Sequence, residues 1–541
     1  MAANRSRGRS RRFITTVHKP HGIIQPRVQK VGPEHFGIAS VDCAKARFKW
    51  MLCDFYGNVL LPPTEVEHNR VDLNLALAQL ENARRQHELG DLIVAIERTG
   101  RYHQVPQRLF ADHGDEVRLV HPFTSKQYRQ TIDPGVKTDD TDLAAIHRAA
   151  VNGCALQQAA TNPLFHELQL VIRQRRDWVR KSSLLCCQIR EYLHSAYPGY
   201  VACFSAPWHS EVLIGLVRRF ESAAAMVQAG MTGLGDALRQ EKIRFRQTTL
   251  DTVLAWARQA PPPDPAAFLH RRIALALEDD RRTKTREIQA LEVEIAQRFA
   301  RTPYVLLLSF PGVNVVSAAD FAGEMGPIEN YLTAKAITGR AGLYPSRYQS
   351  DRVDRPNGAL VRCANHTLRG TIMTIADNLV TCNHYFHMMS ERWKAAGRDA
   401  RAIRVRVAFR FCRIAFQMVA GRQVFRHPGL QQRHYILEKL TAFHRDHATR
   451  SAQVLADLLA AMAHLPASAH GEEAKPLIDE RARREAGRRR GPQLLDDVLL
   501  IVLARLEVGV QLNPSGEVHP APPEPAQRTE NAFEPQGANP S

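Results

Sequence analysis

The chain lacks any apolar run long enough to cross a bilayer, and its N-terminus lacks the apolar segment of a secretory signal peptide. Its nine cysteines are dispersed and include no C-x-x-C pair. An odd, scattered set of thiols indicates a reducing compartment and argues against a disulfide framework or a zinc site. We therefore expect a cytoplasmic protein that does not span a membrane.

Acidic residues are absent from the first 33 positions, which hold eight arginines and lysines. Over the whole chain 73 Lys and Arg stand against 55 Asp and Glu, a net charge of +18. A surplus of this size indicates a polyanionic partner, usually DNA or RNA. Residues 1–33 are predicted to form a disordered basic arm, which either lies on phosphates or only keeps the chain soluble.

Acidic residues do occur at three informative places. One apolar run of strand type ends at Asp42 and another ends at Glu97, and open α/β sheets keep their active sites where strands end. Asp139 and Asp142 are three residues apart, so one turn of helix directs both the same way. Four convergent carboxylates cannot all stay ionised without cations, and two divalent metals explain them most simply. Paired metals clamp the oxygens of a phosphodiester, which predicts nucleic-acid strand chemistry.

Each acid also has an ordinary explanation. An Asp or Glu after a strand is often a turn former or a helix cap, and acids in a first helical turn are favoured by the helix dipole. The order of the acids within one domain-sized span favours the metal site. The sequence leaves open whether Asp140 replaces Asp139 as a ligand, although the x-x spacing before Asp142 favours Asp139.

Changes in composition and periodicity predict an α/β fold followed by mainly helical parts. The predicted parts are a basic arm 1–33, an α/β domain 34–160, a helical, coiled-coil-like region 161–300, a C-terminal domain 301–425, and a helical extension with a disordered tail 426–541. In the α/β domain we expect two strands over 34–62 joined by a turn at 56–58, helices at 71–86, 102–113 and 139–150, and strands ending at 97 and 120.

The helical parts carry three further predictions. Apolar spacing over 165–197 and 266–299 predicts two long helices that form an antiparallel hairpin, a coiled-coil dimer arm or part of a packed helical domain. Pro311-Gly312 between two helices is typical of a helix–hairpin–helix, whose amides can hold a backbone phosphate. A strongly basic amphipathic helix is predicted at 403–418.

The order of these pieces resembles the transposases of the IS110 family, over roughly residues 34–155 and 305–425. The N-terminal resemblance is carried by Asp42-x-x-Lys45, by Glu97-Arg98-Thr99-Gly100-Arg101-Tyr102, and by Lys137-Thr138-Asp139-x-x-Asp142. The C-terminal resemblance runs through Pro311-Gly312-Val313, Gly342-Leu343-Tyr344-Pro345, Gln349-Ser350 and Asn365-His366-Thr367-Leu368-Arg369.

The resemblance implies an RNase H-like domain of the Holliday-junction-resolvase type with a D-E-D-D carboxylate set. Asp42, Glu97, Asp139 and Asp142 would then bind two Mg²⁺ ions, for which Mn²⁺ can substitute in vitro. Ser350 would be the nucleophile of strand exchange, with Ser346 as second choice. Residues expected to contact nucleic acid are Lys45, Lys137, Pro311, Gly312, Arg347, Arg352 and Arg369.

The same resemblance implies donor and target DNA as partners, a structured noncoding bridge RNA that selects both, a homodimer or homotetramer, and a place at the bacterial nucleoid. Asp351 and Ala364 stand where the family commonly has glycine, and leave open whether the element is active. Arg347 and Arg352 are near enough in sequence to offset the charge of Asp351. Two alternatives remain: a metal-dependent nuclease or junction resolvase that uses water, and a decayed element that only binds nucleic acid.

Overall fold

The computed structural model describes residues 21–132, 134–157, 162–350, 353–355, 358–427, 433–489, 491, 494–506, 510–512 and 518–520. The chain divides into two compact units, the second of which begins at Asn162. Among the described helices, none is both long and apolar enough to cross a membrane.

The first unit is built on a six-stranded sheet in the order β3-β2-β1-β4-β5-β6. Its strands are β1 (Phe36–Cys43), β2 (Arg47–Cys53), β3 (Val59–Glu67), β4 (Asp91–Glu97), β5 (Glu116–Val120) and β6 (Leu156–Gln157). Strands β1, β4 and β5 are parallel, whereas β2, β3 and β6 join antiparallel to their neighbours. The expected α/β fold with a partly parallel sheet is confirmed.

Helices cover both faces of this sheet. They are α1 (Gln25–Val31), α2 (Arg70–Gln86), α3 (Gln104–Asp112), α4 (Pro122–Ile132) and α5 (Asp139–Val151). Side chains of β1 and β4 alternate between two apolar clusters, one shared with α2 and α3 and the other with α1 and α5. The parallel strands are therefore nearly continuous apolar runs, as expected for strands that are buried on both faces.

Three details of the first unit differ from the expectations. The segment predicted as two strands contains β1, β2 and the start of β3, because the chain also turns between Cys43 and Arg47. Helix α4 was not predicted. Part of the basic arm is the ordered helix α1, whose Arg27 pairs with Asp91 at 2.6 Å and Glu116 at 2.5 Å. Residues 1–20 of the arm lie outside the described residues.

The second unit begins with two long helices, α6 (Pro163–Ala196) and α10 (Ala267–Phe299). They pack antiparallel within one chain, since Glu167 pairs with Arg298 at 3.1 Å and Arg175 with Glu292 at 2.6 Å. The antiparallel-hairpin alternative is confirmed. Between them lie 3₁₀ turns at Tyr200–Cys203 and Pro207–His209, α7 (Glu211–Arg219), α8 (Ala223–Gln240) and α9 (Gln247–Gln259). These elements share a separate apolar core with the distal ends of the hairpin.

The C-terminal part is helical around one large core. Its α-helices are α11 (Val315–Met325), α12 (Ala334–Arg340), α13 (His366–Cys382), α14 (His384–Ala395), α15 (Ala400–Ala420), α16 (Ile436–Asp446), α17 (Ser451–Met462), α18 (His470–Glu485) and α19 (Leu495–Arg505). It also contains 3₁₀ helices at Pro303–Ser309, Ile328–Asn330 and Ala467–Ala469. Two antiparallel strand pairs are formed by β7 (Tyr348–Ser350) with β8 (Val353–Arg355) and by β9 (Val510–Leu512) with β10 (Val518–Pro520).

The predicted basic helix is α15, and the predicted helical extension contains α16 to α19. The helix–hairpin–helix prediction is wrong in its first half, because a 3₁₀ helix and not an α-helix precedes Pro311. Side chains after position 425, among them Leu440, Leu458 and Leu499, belong to the same core as Phe310. The extension is thus an integral part of the second unit, while residues 521–541 lie outside the described residues.

Candidate active site

Two of the four predicted acids meet at the edge of the sheet where parallel strands end. Strands β1 and β4 pair in a parallel register that aligns Val41 with Ile96. Asp42 and Glu97 occupy the next position of this register, and alternation places both on the face that carries α5. Both side chains are partly exposed. This sheet edge is the usual position of a site in an open α/β fold.

Helix α5 brings two more acids to this edge. Thr138 caps its first turn, and the side chains of Thr138 and Thr141 form a reciprocal capping box with each other's backbone amides. Asp142 is only 5% exposed, whereas Asp139 is exposed. Asp140 points elsewhere and pairs with Lys49 at 2.7 Å. The arrangement therefore favours Asp139 over Asp140 as a member of the acidic group.

The electrostatics show that these acids act on one another. The pKa of Asp42 is raised to about 6, first by burial and then by the neighbouring carboxylates of Glu97, Asp142 and Asp139, in that order. A divalent cation would neutralise this accumulated negative charge. Carboxylate oxygens are also the donors that Mg²⁺ prefers. The donor set therefore fits a hard divalent cation in type and charge.

The side chains as they stand do not surround an ion: within the part of the chain that the structure describes, no three His, Cys, Asp or Glu side chains converge closely enough. Protein groups hold two of the acids. Ser125 donates to Glu97 at 2.5 Å, and Arg129 forms a buried ion pair with Asp142. The sequence reasoning missed both residues, because α4 shows no apolar periodicity that would reveal it.

The predicted serines lie in the second unit near the β7–β8 hairpin. Ser350 is exposed at the end of β7 and aligns with Val353. Ser346 is also exposed, but its hydroxyl donates to the carbonyl of Ala359 at 3.0 Å. Among the described residues, the Ser350 hydroxyl makes no hydrogen bond. Asp351 and Arg352 lie outside the described residues.

Arg369, predicted to contact nucleic acid, holds the backbone of the Gly342 turn. Its guanidinium donates to the carbonyls of Ala341 at 2.8 Å and Gly342 at 3.1 Å, and also to that of Val361. Gly342 has φ +59°, and a Cβ there would lie 2.5 Å from the Cβ of Ala364. Arg369 thus ties together the segment that leads to the serines.

The other predicted nucleic-acid contacts differ in exposure. Lys45, Lys137 and Arg347 are exposed, and Arg347 pairs with Asp354 at 2.8 Å. Pro311 is buried, and Gly312 packs against α13. Lys439 donates to the carbonyls of Phe310 and Val313 on either side of this turn, at 2.6 and 2.7 Å. Phosphate binding at Pro311 and Gly312 stays a prediction that these contacts do not favour.

A buried carboxylate, which the sequence did not reveal, joins three helices of the second unit. Glu324 of α11 is 0% exposed and accepts from Arg173 and Arg176 of α6 at 3.3 to 3.5 Å. It also accepts from Asn365, which caps α13, at 3.0 Å. Arg176 reaches Thr371 of α13 at 2.7 Å. The Asn365–Arg369 motif is therefore anchored to the long hairpin.

Comparisons with known proteins match both parts of the chain. A family model for the DEDD proteins of IS110, described as "Transposase", matches residues 39–198, and one described as "Transposase IS116/IS110/IS902 family" matches residues 304–391. The first contains all four acids and the second contains Ser350. The chain is also similar to the "Insertion element IS110 uncharacterized 43.6 kDa protein" of Streptomyces coelicolor, with 21% identity over 335 aligned residues. The aligned region covers 61% of this chain and 82% of that protein.

Proposed function

Because the chain belongs to the IS110 family of transposases, we propose that it moves an insertion sequence by cutting and rejoining DNA with a metal-assisted serine. The observation that carries the proposal is the position of Asp42 at one sheet edge, near enough to Glu97, Asp142 and Asp139 to be affected by their charges: burial first, and then these three carboxylates, raise its pKa to about 6. The RNase H-like character of the first unit is part of the proposal.

The four acids would hold two Mg²⁺ ions, which would stabilise negative charge on the reacting phosphate. Asp42 and Glu97 project from neighbouring strands, and Asp142 from a helix packed on the same face. These supports are regular secondary structure, which holds ligands more rigidly than loops do. Lys45 and Lys137, both exposed, would attract the DNA backbone toward this edge.

Ser350 would supply the nucleophile. As its Oγ forms a bond to phosphorus, the bond from phosphorus to one deoxyribose oxygen breaks, and the serine proton passes to a base. One phosphodiester is exchanged for another, so that rejoining by the reverse reaction needs no ATP. A serine hydroxyl needs activation for this step, because it is a weak nucleophile at its ordinary pKa.

The finer partners are also proposals. A structured noncoding RNA would pair with donor and target DNA, so that base pairing selects the sites while the protein supplies basic surfaces. The acids and the serine would come from different protomers of a dimer or tetramer. The exposed arginines of α15 are suited to backbone contacts and are Arg401, Arg404, Arg406, Arg410 and Arg413.

A metal-dependent nuclease that uses water is the second candidate. It is favoured by one observation: the four acids all lie within the first unit. A nuclease of this kind would give the β7–β8 hairpin that carries Ser350 no function.

Strand cleavage by the purified protein, with its co-purifying nucleic acid and labelled donor and target DNA, tests the metal site. We expect cleavage with Mg²⁺ or Mn²⁺ and none in EDTA. Asn or Gln in place of any one of Asp42, Glu97, Asp139 or Asp142 should abolish cleavage, whereas Asp140→Asn should retain most of it. Full cleavage by Asp139→Asn and none by Asp140→Asn would reverse that assignment.

A further inference from the structure

Helix α4 contacts two of the four carboxylates with one face. Ser125 and Arg129 are four residues apart and so lie on the same side of the helix. Ser125 is bonded to Glu97, and Arg129 to Asp142. We propose that α4 is a clamp on the metal site: Arg129 stands in for a cation at Asp142 and must release it before a metal ion binds. This inference rests on the proposed metal site.

The charges explain why Arg129 is needed. Asp142 has a side chain that is only 7% exposed, and it lies near Asp42 and Glu97. A buried carboxylate among other carboxylates is stable only if a positive charge or hydrogen bonds compensate it. The side chain of Arg129 is itself only 14% exposed. Arg129 therefore supplies locally what a divalent cation would supply.

The contacts also explain why Arg129 has to move. Its Nη1 donates to Oδ1 of Asp142, while Mg²⁺ requires oxygen ligands at about 2.0–2.1 Å in near-octahedral geometry. One carboxylate oxygen cannot face a guanidinium and a metal ion in the same direction. With Asp142 held in this way, no three carboxylates of the described residues converge on a point. Arg129 and the metal thus compete for one ligand.

Ser125 has a different role in the clamp. It is 1% exposed and neutral, and it fixes one oxygen of Glu97 at 2.5 Å. Thr99 donates to the other oxygen at 3.3 Å. Hydroxyl groups orient a carboxylate without cancelling its charge, so they can stay when an ion arrives. When a metal ion binds, Ser125 would therefore stay bonded to Glu97, whereas Arg129 would separate from Asp142. Both act as positioning residues.

The chain offers a matched control. Lys49 pairs with Asp140 at 2.7 Å, close to the same site, but Asp140 is 62% exposed and stands outside the acidic group. Lys49→Gln removes one positive charge from the neighbourhood without freeing a predicted ligand. Arg129→Gln removes one positive charge and frees Asp142. A difference between the two variants therefore reports release of the ligand and not a general change of charge.

The experiment is a Mn²⁺ titration of the full chain, in which electron paramagnetic resonance measures the free ion. We expect Arg129→Gln to bind Mn²⁺ about tenfold tighter than the wild type, or more, because the competing cation is gone. Lys49→Gln should stay within about threefold of the wild type, since an exposed pair is weak. In EDTA, the melting temperature of Arg129→Gln should be lower than that of the wild type. Saturating Mn²⁺ should raise the melting temperature of Arg129→Gln by more than it raises that of the wild type.

The outcomes separate the clamp from the proposed function. If the wild type binds Mn²⁺ and Arg129→Gln binds it equally or more weakly, the clamp is wrong and the metal site stands. If neither protein binds Mn²⁺, the metal site fails and the clamp fails with it. If Arg129→Gln does not fold, Arg129→Met, which keeps an unbranched side chain but removes the charge, should bind Mn²⁺ tighter than the wild type. Equal or weaker binding by Arg129→Met would then overturn the clamp.

Discussion

Asp42 and Glu97 stand side by side at the carboxyl ends of two parallel strands, one position beyond the aligned pair Val41 and Ile96. Burial disfavours the ionised form of Asp42 and the neighbouring carboxylate of Glu97 repels it, so that the pKa of Asp42 rises to about 6. The fold therefore concentrates negative charge at one point, and a bound cation would neutralise that charge. Consequences for stability and for activity follow from this relationship.

The first prediction concerns pH and Asp42. The pKa of Asp42 is higher in the folded protein than its ordinary 3.8, so its contribution to stability is complete below about pH 4 and is lost as the pH rises through 6. Without divalent cations, Asp42→Asn should be more stable than the wild type near pH 8, on the order of 2 kcal/mol after solvent screening. The difference should shrink toward pH 4, as measured by thermal melts in EDTA.

Addition of Mg²⁺ near pH 8 should change the order of those melts. The wild type should gain stability by binding the ion, whereas Asp42→Asn should gain little because it has lost a ligand. If Asp42→Asn is less stable than the wild type in EDTA near pH 8, the ionised form of Asp42 is not disfavoured in the folded protein, and the prediction is wrong.

The second prediction concerns the buried Glu324. Glu324→Ala leaves Arg173 and Arg176 without this partner and Asn365 without its acceptor, and it should destabilise the second unit by about 3 kcal/mol. Urea unfolding followed by circular dichroism measures this. The control is Glu329→Ala, an exposed acid nearby, which should change stability by less than about 0.5 kcal/mol. Similar effects of the two substitutions would contradict the role of Glu324.

The third prediction tests whether Arg369 holds the protein backbone around Gly342 or contacts DNA. Arg369→Lys keeps the positive charge but cannot serve three carbonyls with a planar fork. It should speed hydrogen exchange over residues 341–350 and reduce strand exchange, while the salt dependence of DNA binding stays unchanged. A shallower salt dependence without faster exchange would instead make Arg369 a phosphate contact.

The fourth prediction concerns the basic face of α15. Arg401 and Arg413 are exposed, and replacing both by Ala should weaken DNA binding and reduce the slope of log affinity against log salt by about 2, close to 0.9 for each lost phosphate contact. Filter binding at several salt concentrations measures this. The control is Arg239→Ala, which removes an exposed arginine from α8. An unchanged slope in the double variant would place the DNA elsewhere.

Much of the first unit was predictable because its signals are local. Apolar runs end at Asp42 and Glu97, and Thr138 begins a helix with a recognisable cap. Helix α4 was not predictable in the same way: its sequence from Pro122 to Ile132 is mostly polar. The contacts of Ser125 with Glu97 and of Arg129 with Asp142 depend on the tertiary fold, so the local sequence does not predict them.

The second unit was predictable in its long helices and less so in its assembly. Periodicity over α6 and α10 indicated two helices, but only the pairing of Arg175 with Glu292 showed that they fold back on each other within one chain. Helix α18 has an interior Pro476 and many charges, so its sequence alone does not favour a packed helix. Its Leu477 nevertheless packs into the main core. Tertiary packing outweighed local propensity there.

Covalent capture of DNA tests the central claim most directly. The protein and its co-purifying nucleic acid are incubated with labelled donor and target DNA and Mg²⁺, then denatured and resolved by electrophoresis. The account predicts a denaturation-resistant protein–DNA adduct for the wild type and for Ser346→Ala, and its loss in Ser350→Ala and in Asp142→Ala. Cleavage without any adduct, lost only in Asp142→Ala, would contradict the serine mechanism and show a hydrolytic nuclease.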